Sequence, residues 1–181
     1  MARVAVIDPK HATGEVRQLL DAVQGGLGMV PNFIRVLANS PAALNAFLGM
    51  HVISGSGALD PKTRERIALA VAEQNGCQYC VSAHTAIGRK AGLDGAEMLA
   101  NRQGRSADAK AEAALAFARA LVEHTGQVSK TEFDAVRAAG HSDAEIVEII
   151  AHVAMNVFTN LLGKSTQVEI DFPRVALNEA A

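Results

Sequence analysis

Both cysteines of the chain lie in one short stretch, EQNGCQYCVSAHTAIG, which runs from Glu73 to Gly88. Two residues separate Cys77 from Cys80, and His84 follows four positions after the second cysteine. At this spacing on a helix the three side chains lie on one side and can meet. Three interpretations fit such a set: a metal site, a redox-active thiol pair, or small core residues without a reaction.

The position of Cys77 favours a reactive thiol. Gly76 separates it from the preceding helical segment, so Cys77 lies at or just before a helix start. Unpaired backbone N–H groups and the helix dipole stabilise a thiolate there. His84 can accept the proton or, as imidazolium, stabilise the anion. Once one sulfur is oxidised to a sulfenic acid, the other can condense with it to a disulfide.

Zinc binding is the chief competing chemistry, because two thiolates and an imidazole supply three of the four ligands of a zinc site. The chain contains neither a second Cys-x-x-Cys nor a His-x₃₋₅-His to complete it. The pattern therefore favours a redox pair that uses no metal or other cofactor, while metal binding and inert burial stay open.

A redox thiol also needs a route for protons, and two glutamates precede the pair. Glu65 and Glu73 are eight residues apart and lie on different faces of one predicted helix. Spacing alone does not choose between them. Four further histidines lack motif support and are interpreted as structural or surface residues: His51, His124, His141 and His152.

Composition indicates a soluble globular chain. Of its 181 residues 49% are apolar, and 17 basic against 19 acidic side chains leave a formal charge of −2 without long blocks of one sign. Such a balance gives no reason to expect a nucleic acid partner. The N-terminus lacks the apolar core of a secretory signal, and polar residues interrupt positions 146–162, so neither predicts a membrane segment. We expect a cytoplasmic protein.

Helix signals recur along the chain, and no segment shows the alternation typical of a strand, which predicts an all-α fold. Asp60 precedes a proline suited to the first helical turn, and Ser129 and Ser142 each begin a capping box. Gly76 and Gly163 are among the predicted helix stops. The predicted helices span residues 14–24, 41–54, 61–75, 78–91, 95–102, 107–125, 130–139 and 143–162.

The last predicted helix has two distinct faces. Its apolar residues recur at helical spacing and are predicted to be core: Ile146, Ile149, Ile150, Val153, Val157 and Leu161. Its polar edge is interpreted as solvated or facing another subunit: Glu145, Glu148, His152 and Asn156. After the helix, residues 168–175 are predicted to form an extended arm that docks on the fold.

The run RERIALAVAEQNGCQYCVSAHTAIGRKAGL, residues 64–93, closely resembles the core motif of the alkylhydroperoxidase D (AhpD) family within the carboxymuconolactone decarboxylase superfamily. The Arg-Glu pair, the Asn-Gly before the first cysteine, the Cys-x-x-Cys and the Ala-His after it all fall in register. Looser matches, MVPNF near the N-terminus and NVFTNLL and VEIDFP near the C-terminus, resemble its peroxidase-related branch. The lactone decarboxylases generally lack the cysteine pair, which argues against that activity here.

This resemblance implies an all-helical fold built around a cysteine-bearing helical hairpin. We expect one AhpD-like domain over residues 1–181, with its motif core at 60–93 and a C-terminal arm at 164–181. The family also implies a homo-oligomer and an antioxidant activity, the reduction of hydrogen peroxide or organic hydroperoxides. A dithiol or lipoyl-type donor, which the sequence does not identify, would re-reduce the disulfide.

By the same resemblance Cys80 attacks the peroxide, Cys77 resolves the intermediate, Glu65 is the general base and His84 passes the proton. Well-known members carry a histidine immediately before the second cysteine, where this chain has Tyr79. Tyrosine is a poor base near pH 7, so Tyr79 is a candidate modifier of the proton relay. If it weakens the relay, the alternatives are a thiol–disulfide oxidoreductase or a redox-responsive interaction protein with little peroxidase activity.

Overall fold

The computed structural model describes residues 2–178, apart from the side chain of Ile53. Within these residues the chain is all-α, as predicted, with a short 3-10 helix at Pro9–His11. Its α-helices are α1 Gly14–Leu27, α2 Asn32–Leu37, α3 Pro41–Gly55, α4 Pro61–Gln74, α5 Gln78–Lys90, α6 Gly95–Arg102, α7 Ala109–Glu123, α8 Lys130–Ala138 and α9 Asp143–Thr166.

Capping side chains explain where several of these helices begin. Asp60 accepts a hydrogen bond from the backbone N–H of Thr63 at the start of α4, and Ser129 and Ser142 form the predicted capping boxes of α8 and α9. The helix that the sequence pattern misses is α2. It has only six residues, and its N-cap is Pro31, which supplies no capping side chain.

The helix α4 lies at the centre of the fold, where it contacts α5, α6, α7 and α9. A tight turn joins it to α5, and Gly76 in that turn has φ of +63°, a left-handed conformation that favours glycine. Because α4 and α5 pack on each other, they form the expected helical hairpin that carries both cysteines.

Two main clusters of buried side chains form the core. The first joins α1, α2, α3, the start of α5 and the chain after α9, and it includes Leu20, Phe33 and Val168. The second joins α4, α7, α8 and α9, and it includes Ile67 and Phe117. The cysteines belong to the first cluster, at its boundary with α9.

The helix α9 is longer than predicted, because it continues to Thr166 and ends at Gln167 in a left-handed conformation. Gly163, predicted as a stop, lies inside it. Among the described helices α9 alone is long and apolar enough to cross a membrane, but 50% of that apolar segment is buried inside the fold. It packs against α3, α4, α5, α7 and α8, as the core helix of a globular fold does.

The predicted apolar stripe of α9 is only partly core. Ile146 and Ile149 are 1% and 0% exposed, whereas Ile150 and Leu161 are 40% and 65% exposed. The prediction is wrong for the latter pair because the neighbouring helices cover one side of α9 and leave its outer side uncovered.

After α9 the chain forms the predicted docked arm, which begins at residue 167 rather than 164. Val168 is buried in the first core cluster. The backbone N–H of Val175 donates to Ser82 Oγ at 3.0 Å, and Gln78 Nε2 donates to the Val175 carbonyl at 3.2 Å. The arm therefore covers part of α5, while the single-domain organisation stays a prediction.

Candidate active site

The two cysteines are reduced and buried at the start of α5. Cys77 is the N-cap residue, and its Sγ accepts a hydrogen bond from the backbone N–H of Cys80 at 3.4 Å. Cys77 is 1% exposed and Cys80 is 3% exposed. The predicted position of Cys77 at the helix start is therefore confirmed.

The surroundings of Cys77 stabilise its thiolate. A hydrogen bond from the Cys80 side chain is the largest influence, and it outweighs burial, which acts in the opposite direction. The backbone N–H of Cys80 and the positive charges of His84 and Lys164 add to it. Together they lower the pKa of the Cys77 thiol from 9.0 to about 7, so roughly half of it is ionised at neutral pH.

Cys80 has the opposite character. Its hydrogen bond to Cys77, burial, and the negative charge of the Cys77 thiolate all raise the pKa of the Cys80 thiol, and donors at Asn160 and Thr159 only partly oppose the rise. When Cys77 is ionised, the reduced pair therefore keeps its remaining proton on Cys80. This resting arrangement differs from the family-based assignment, in which Cys80 attacks and must first lose that proton.

Gly163 of α9 allows this pair to lie against the helix. A Cβ at this position would stand 3.2 Å from Cys77 Sγ and 3.9 Å from Cys80 Sγ. The first distance is shorter than most carbon contacts with a neighbouring atom, so a side chain would force α9 and the sulfurs apart. The glycine therefore lets α9 pack closely on the thiol pair.

The structure joins Glu65 of α4 to His84 of α5. The His84 Nδ1 to Glu65 Oε2 distance is 2.8 Å, and the side chains are 21% and 16% exposed. Burial by itself lowers the pKa of His84, but the Glu65 carboxylate, with a contribution from Cys77, raises it above the ordinary value of 6.5. The pair can therefore hold and move a proton, although no hydrogen bond among the described residues joins the His84 ring to either sulfur.

Glu73, the other candidate carboxylate, is engaged elsewhere. Its Oε2 accepts from Arg102 Nε at 2.6 Å, and its Oε1 accepts from the backbone N–H of Asn178 at 2.6 Å. The hydrogen bonds of Glu73 thus connect α6 and the C-terminal arm to the end of α4. The geometry agrees with the choice of Glu65 as the carboxylate beside His84.

Tyr79 points its hydroxyl away from the Glu65–His84 pair. The hydroxyl donates to Asp171 Oδ1 at 2.9 Å and accepts from the backbone N–H of Phe33 at 3.3 Å. Burial and the Asp171 carboxylate raise the pKa of Tyr79, so it is no base near neutral pH. The contacts of Tyr79 attach the C-terminal arm to α5 and α2, and its role as a relay modifier stays a prediction.

A cavity of about 350 Å³ opens beside the Glu65–His84 pair. It lies between the end of α3 and the helices α4, α5 and α9. Two histidines that the sequence pattern leaves aside also line it, namely His51 of α3 and His152 of α9. His152 is 3% exposed, so its interpretation as part of a solvated edge is wrong.

The rest of that polar edge is likewise engaged in the fold. Glu145 belongs to the capping box and binds Lys110, and Glu148 accepts hydrogen bonds from the backbone of Ala58 and Leu59. Asn156 is 2% exposed and lines the cavity. The sequence did contain a signal for their burial, because His152 and Asn156 lie one turn apart on a helix whose other faces are apolar.

No group of three His, Cys, Asp or Glu side chains within residues 2–178 lies close enough to hold a metal ion. The site so defined is a buried dithiol at a helix N-terminus, with a glutamate–histidine pair and a cavity beside it. These are the groups that thiol redox chemistry requires, namely an activated thiol and a route for protons.

Comparisons with known proteins place the chain among relatives with this architecture. The model of the carboxymuconolactone decarboxylase family matches residues 38–123. A peroxidase-related protein from Silicibacter sp. TM1040 has 27% identity and a TM-score of 0.81, with 93% of this chain and 91% of that chain covered. A peroxidase-related protein with an alkylhydroperoxidase AhpD core, from Ralstonia eutropha JMP134, has 27% identity and a TM-score of 0.82. The match covers 94% of this chain and 92% of that chain.

The debrominase Bmp8 shares the fold alone, at 23% identity and a TM-score of 0.74 over 87% of this chain and 86% of that chain. A search of the curated proteins gives no match. The family match and the two peroxidase-related structures agree with the resemblance seen in the sequence. Residues 38–123 thus match a family of enzymes, and the two peroxidase-related structures are consistent with an AhpD-like fold within that superfamily.

Proposed function

We propose that the chain is a thiol-dependent peroxidase that reduces hydrogen peroxide or organic hydroperoxides. The observation that carries the proposal is the reduced Cys77–Cys80 pair beside the Glu65–His84 hydrogen bond on one helical hairpin. Similarity to two peroxidase-related proteins supports the same class of reaction. The chain itself supplies the redox centre, so the proposed activity uses no cofactor.

In the proposed cycle the proton of Cys80 passes through water to His84 and on to Glu65, and the Cys80 thiolate attacks one oxygen of the O–O bond. A sulfur–oxygen bond forms, the O–O bond breaks, and the leaving oxygen takes the relayed proton to become an alcohol or water. The Cys77 thiolate then attacks the Cys80 sulfenic acid. A disulfide forms and hydroxide leaves, protonated from solvent.

The two thiols supply both electrons, so an external dithiol or lipoyl-type donor must reduce the disulfide before the next turnover. We place this cycle in the cytoplasm, where such donors keep thiols reduced. We also propose a homo-oligomer. The exposed apolar residues of α9 support it, because Val147, Ile150, Phe158 and Leu161 are 64%, 40%, 36% and 65% exposed along one helix.

A thiol–disulfide oxidoreductase is the second candidate. A lowered pKa on the first cysteine of a Cys-x-x-Cys at a helix N-terminus is typical of that class, and Cys77 has it. Against it, both sulfurs are at most 3% exposed, which hinders attack on a protein disulfide. A redox-responsive interaction protein is the remaining alternative.

The test is peroxide consumption under a dithiol reductant, combined with intact mass after peroxide treatment. We compare the wild type with Cys77→Ser, Cys80→Ser and Glu65→Gln. We expect the wild type to consume peroxide and lose two hydrogens, and Cys77→Ser to stall as a sulfenic or overoxidised species. Full activity in Cys80→Ser would refute its role as nucleophile, and an inactive wild type would refute the peroxidase.

A further inference from the structure

The cavity beside the Glu65–His84 pair has the dimensions of a small-molecule site. Its volume of about 350 Å³ is within the range of ligand pockets, roughly 300–1,000 Å³. Part of its wall is apolar, including Ala68, Ile87 and Met155. Hydrogen peroxide needs far less room, so the cavity indicates an organic substrate.

The charged side chains of this cavity favour an anion. Arg64 and Lys90 line it, and Glu65 is the one acidic residue among its lining residues. The carboxylate of Glu65 is already paired with His84. Arg64 Nη1 donates to the carbonyls of Ser54 and Gly55, which holds the side chain in place and leaves further guanidinium N–H donors.

His152 supplies an unpaired polar atom in the same cavity. Its Nε2 is buried and has no hydrogen-bond partner, and the residue is only 3% exposed. Buried polar atoms are nearly always paired, so an unpaired one in a ligand-sized cavity indicates that a bound molecule supplies the partner. Burial and the nearby charge of Arg64 lower the pKa of His152, and the Ser54 backbone and the carboxylates of Glu148 and Glu65 oppose them only in part.

We propose that this cavity binds the carboxylate of a small organic hydroperoxide, with Arg64 and His152 Nε2–H as donors to the carboxylate oxygens. The inference rests on the proposed function, since it names the substrate class of the same site. The hydroperoxide end would point to His84, which lies one turn beyond Cys80 on α5. The reaction is the cycle above, in which one hydroperoxide and two thiols give an alcohol, water and a disulfide.

Binding without chemistry tests the subsite. The probes are benzoate and its neutral analogue benzyl alcohol, titrated by calorimetry into the reduced wild-type protein without peroxide. We expect benzoate to bind at least about tenfold more tightly, because a charge-assisted hydrogen bond contributes about that factor or more. Equal affinity for the two probes would overturn the proposal.

Variants assign the effect to its residues. We expect Arg64→Gln and His152→Gln each to lose about tenfold in benzoate affinity, and Arg64→Lys to retain most of it because the charge remains. The matched control is Arg89→Gln, which removes a positive charge from the exposed part of α5 outside the cavity lining. A loss in Arg89→Gln equal to that in Arg64→Gln would contradict a specific subsite.

Kinetics separate this inference from the proposed function. The substrates are cumene hydroperoxide and the same compound with a para-carboxylate, and the readout is the ratio of their kcat/KM values. We expect the carboxylate to raise kcat/KM about tenfold in the wild type, with the advantage lost in Arg64→Gln. Benzoate binding without reduction of either peroxide would refute the peroxidase and retain the subsite, whereas equal reduction of both without benzoate binding would refute the subsite alone.

Discussion

At the scale of residues, the hydrogen bond between the two thiols has the largest effect on the ionisation of Cys77. Cys80 donates to Cys77, and this hydrogen bond is the largest influence that lowers the pKa of Cys77 to about 7. We expect Cys80→Ala to move that pKa toward the ordinary 9.0, because the donor is lost. Cys80→Ser should retain a value nearer 7, since a hydroxyl can still donate to the thiolate.

The measurement is the ultraviolet absorbance of the thiolate as a function of pH in both variants. Because a thiol ionises as pH rises, a lower pKa shifts the absorbance step to lower pH. Coincident curves for Cys80→Ala and Cys80→Ser would show that the hydrogen bond does not control the ionisation of Cys77.

The Glu65 carboxylate is what keeps the pKa of His84 high despite burial. We expect Glu65→Gln to lower that pKa below 6.5, because the amide removes the negative charge and burial remains. A histidine NMR titration of the wild type and Glu65→Gln, assigned with His84→Asn, measures the shift.

The raised pKa of His84 also affects the stability of the fold. A raised histidine pKa contributes stability that is fully present below the unfolded value of about 6.5 and is lost as pH rises through the folded value. The free energy of unfolding of the wild type should therefore exceed that of Glu65→Gln most clearly below pH 6. An unchanged His84 titration in Glu65→Gln would show that the Glu65 carboxylate does not cause the raised pKa.

Local spacing was enough to predict that Cys77 and Cys80 lie side by side at the start of α5. It did not choose Glu65 as the partner of His84, which the family resemblance supplied and the structure shows. His152 lines the cavity beside the Glu65–His84 pair, although it comes from a distant part of the chain. Only the packing of α9 places it there. Tyr79 lies inside the motif, but its orientation depends on Asp171 of the C-terminal arm, a contact that local spacing does not contain.

At the scale of helices, the contact of α9 with the thiol pair depends on Gly163. The new Cβ of Gly163→Ala meets Cys77 Sγ at 3.2 Å, and overpacking usually costs about 1–3 kcal/mol. Alanine gains roughly 0.5–1 kcal/mol over glycine in a helix, so we expect a net loss in the free energy of unfolding of up to about 2.5 kcal/mol.

Gly49 of α3 is the matched control, because a Cβ there meets nothing within 4 Å. Gly49→Ala should therefore raise the free energy of unfolding, by at most about 1 kcal/mol. Urea denaturation of the reduced proteins compares the two variants. Stabilisation by Gly163→Ala equal to that by Gly49→Ala would contradict a tight contact between α9 and the sulfurs.

Most helices of the fold were predictable because their signals are local. Capping residues such as Ser129 and Ser142 mark where α8 and α9 begin, and both capping boxes are present. The end of α9 was predicted wrongly because glycine ends many helices by adopting positive φ, whereas Gly163 lies inside the helix and packs against the sulfurs. Sequence spacing cannot distinguish these two uses of a glycine.

For the whole molecule, α9 has two apolar sides with different partners. One side packs into the core through residues such as Ile149, which is 0% exposed. The other side exposes Val147, Ile150, Phe158 and Leu161 to solvent in the single chain. The sequence pattern assigned Ile150 and Leu161 of this outer side to the core, because apolar residues occur on both sides of the helix. In the proposed homo-oligomer, a second copy would cover the outer side.

We expect Leu161→Lys to shift the protein from an oligomer toward the monomer, because a lysine charge at a buried interface loses its hydration. The control is Leu27→Lys on α1, since Leu27 is 58% exposed against 65% for Leu161 but lies on a different helix. Sedimentation velocity of the wild type and both variants, at matched concentrations, measures the change in mass. A monomeric wild type, or equal dissociation by the two variants, would exclude the outer side of α9 as the interface. Dissociation by Leu161→Lys alone would identify the outer side of α9 as the contact between subunits. The inner side of the same helix carries His152 and Gly163.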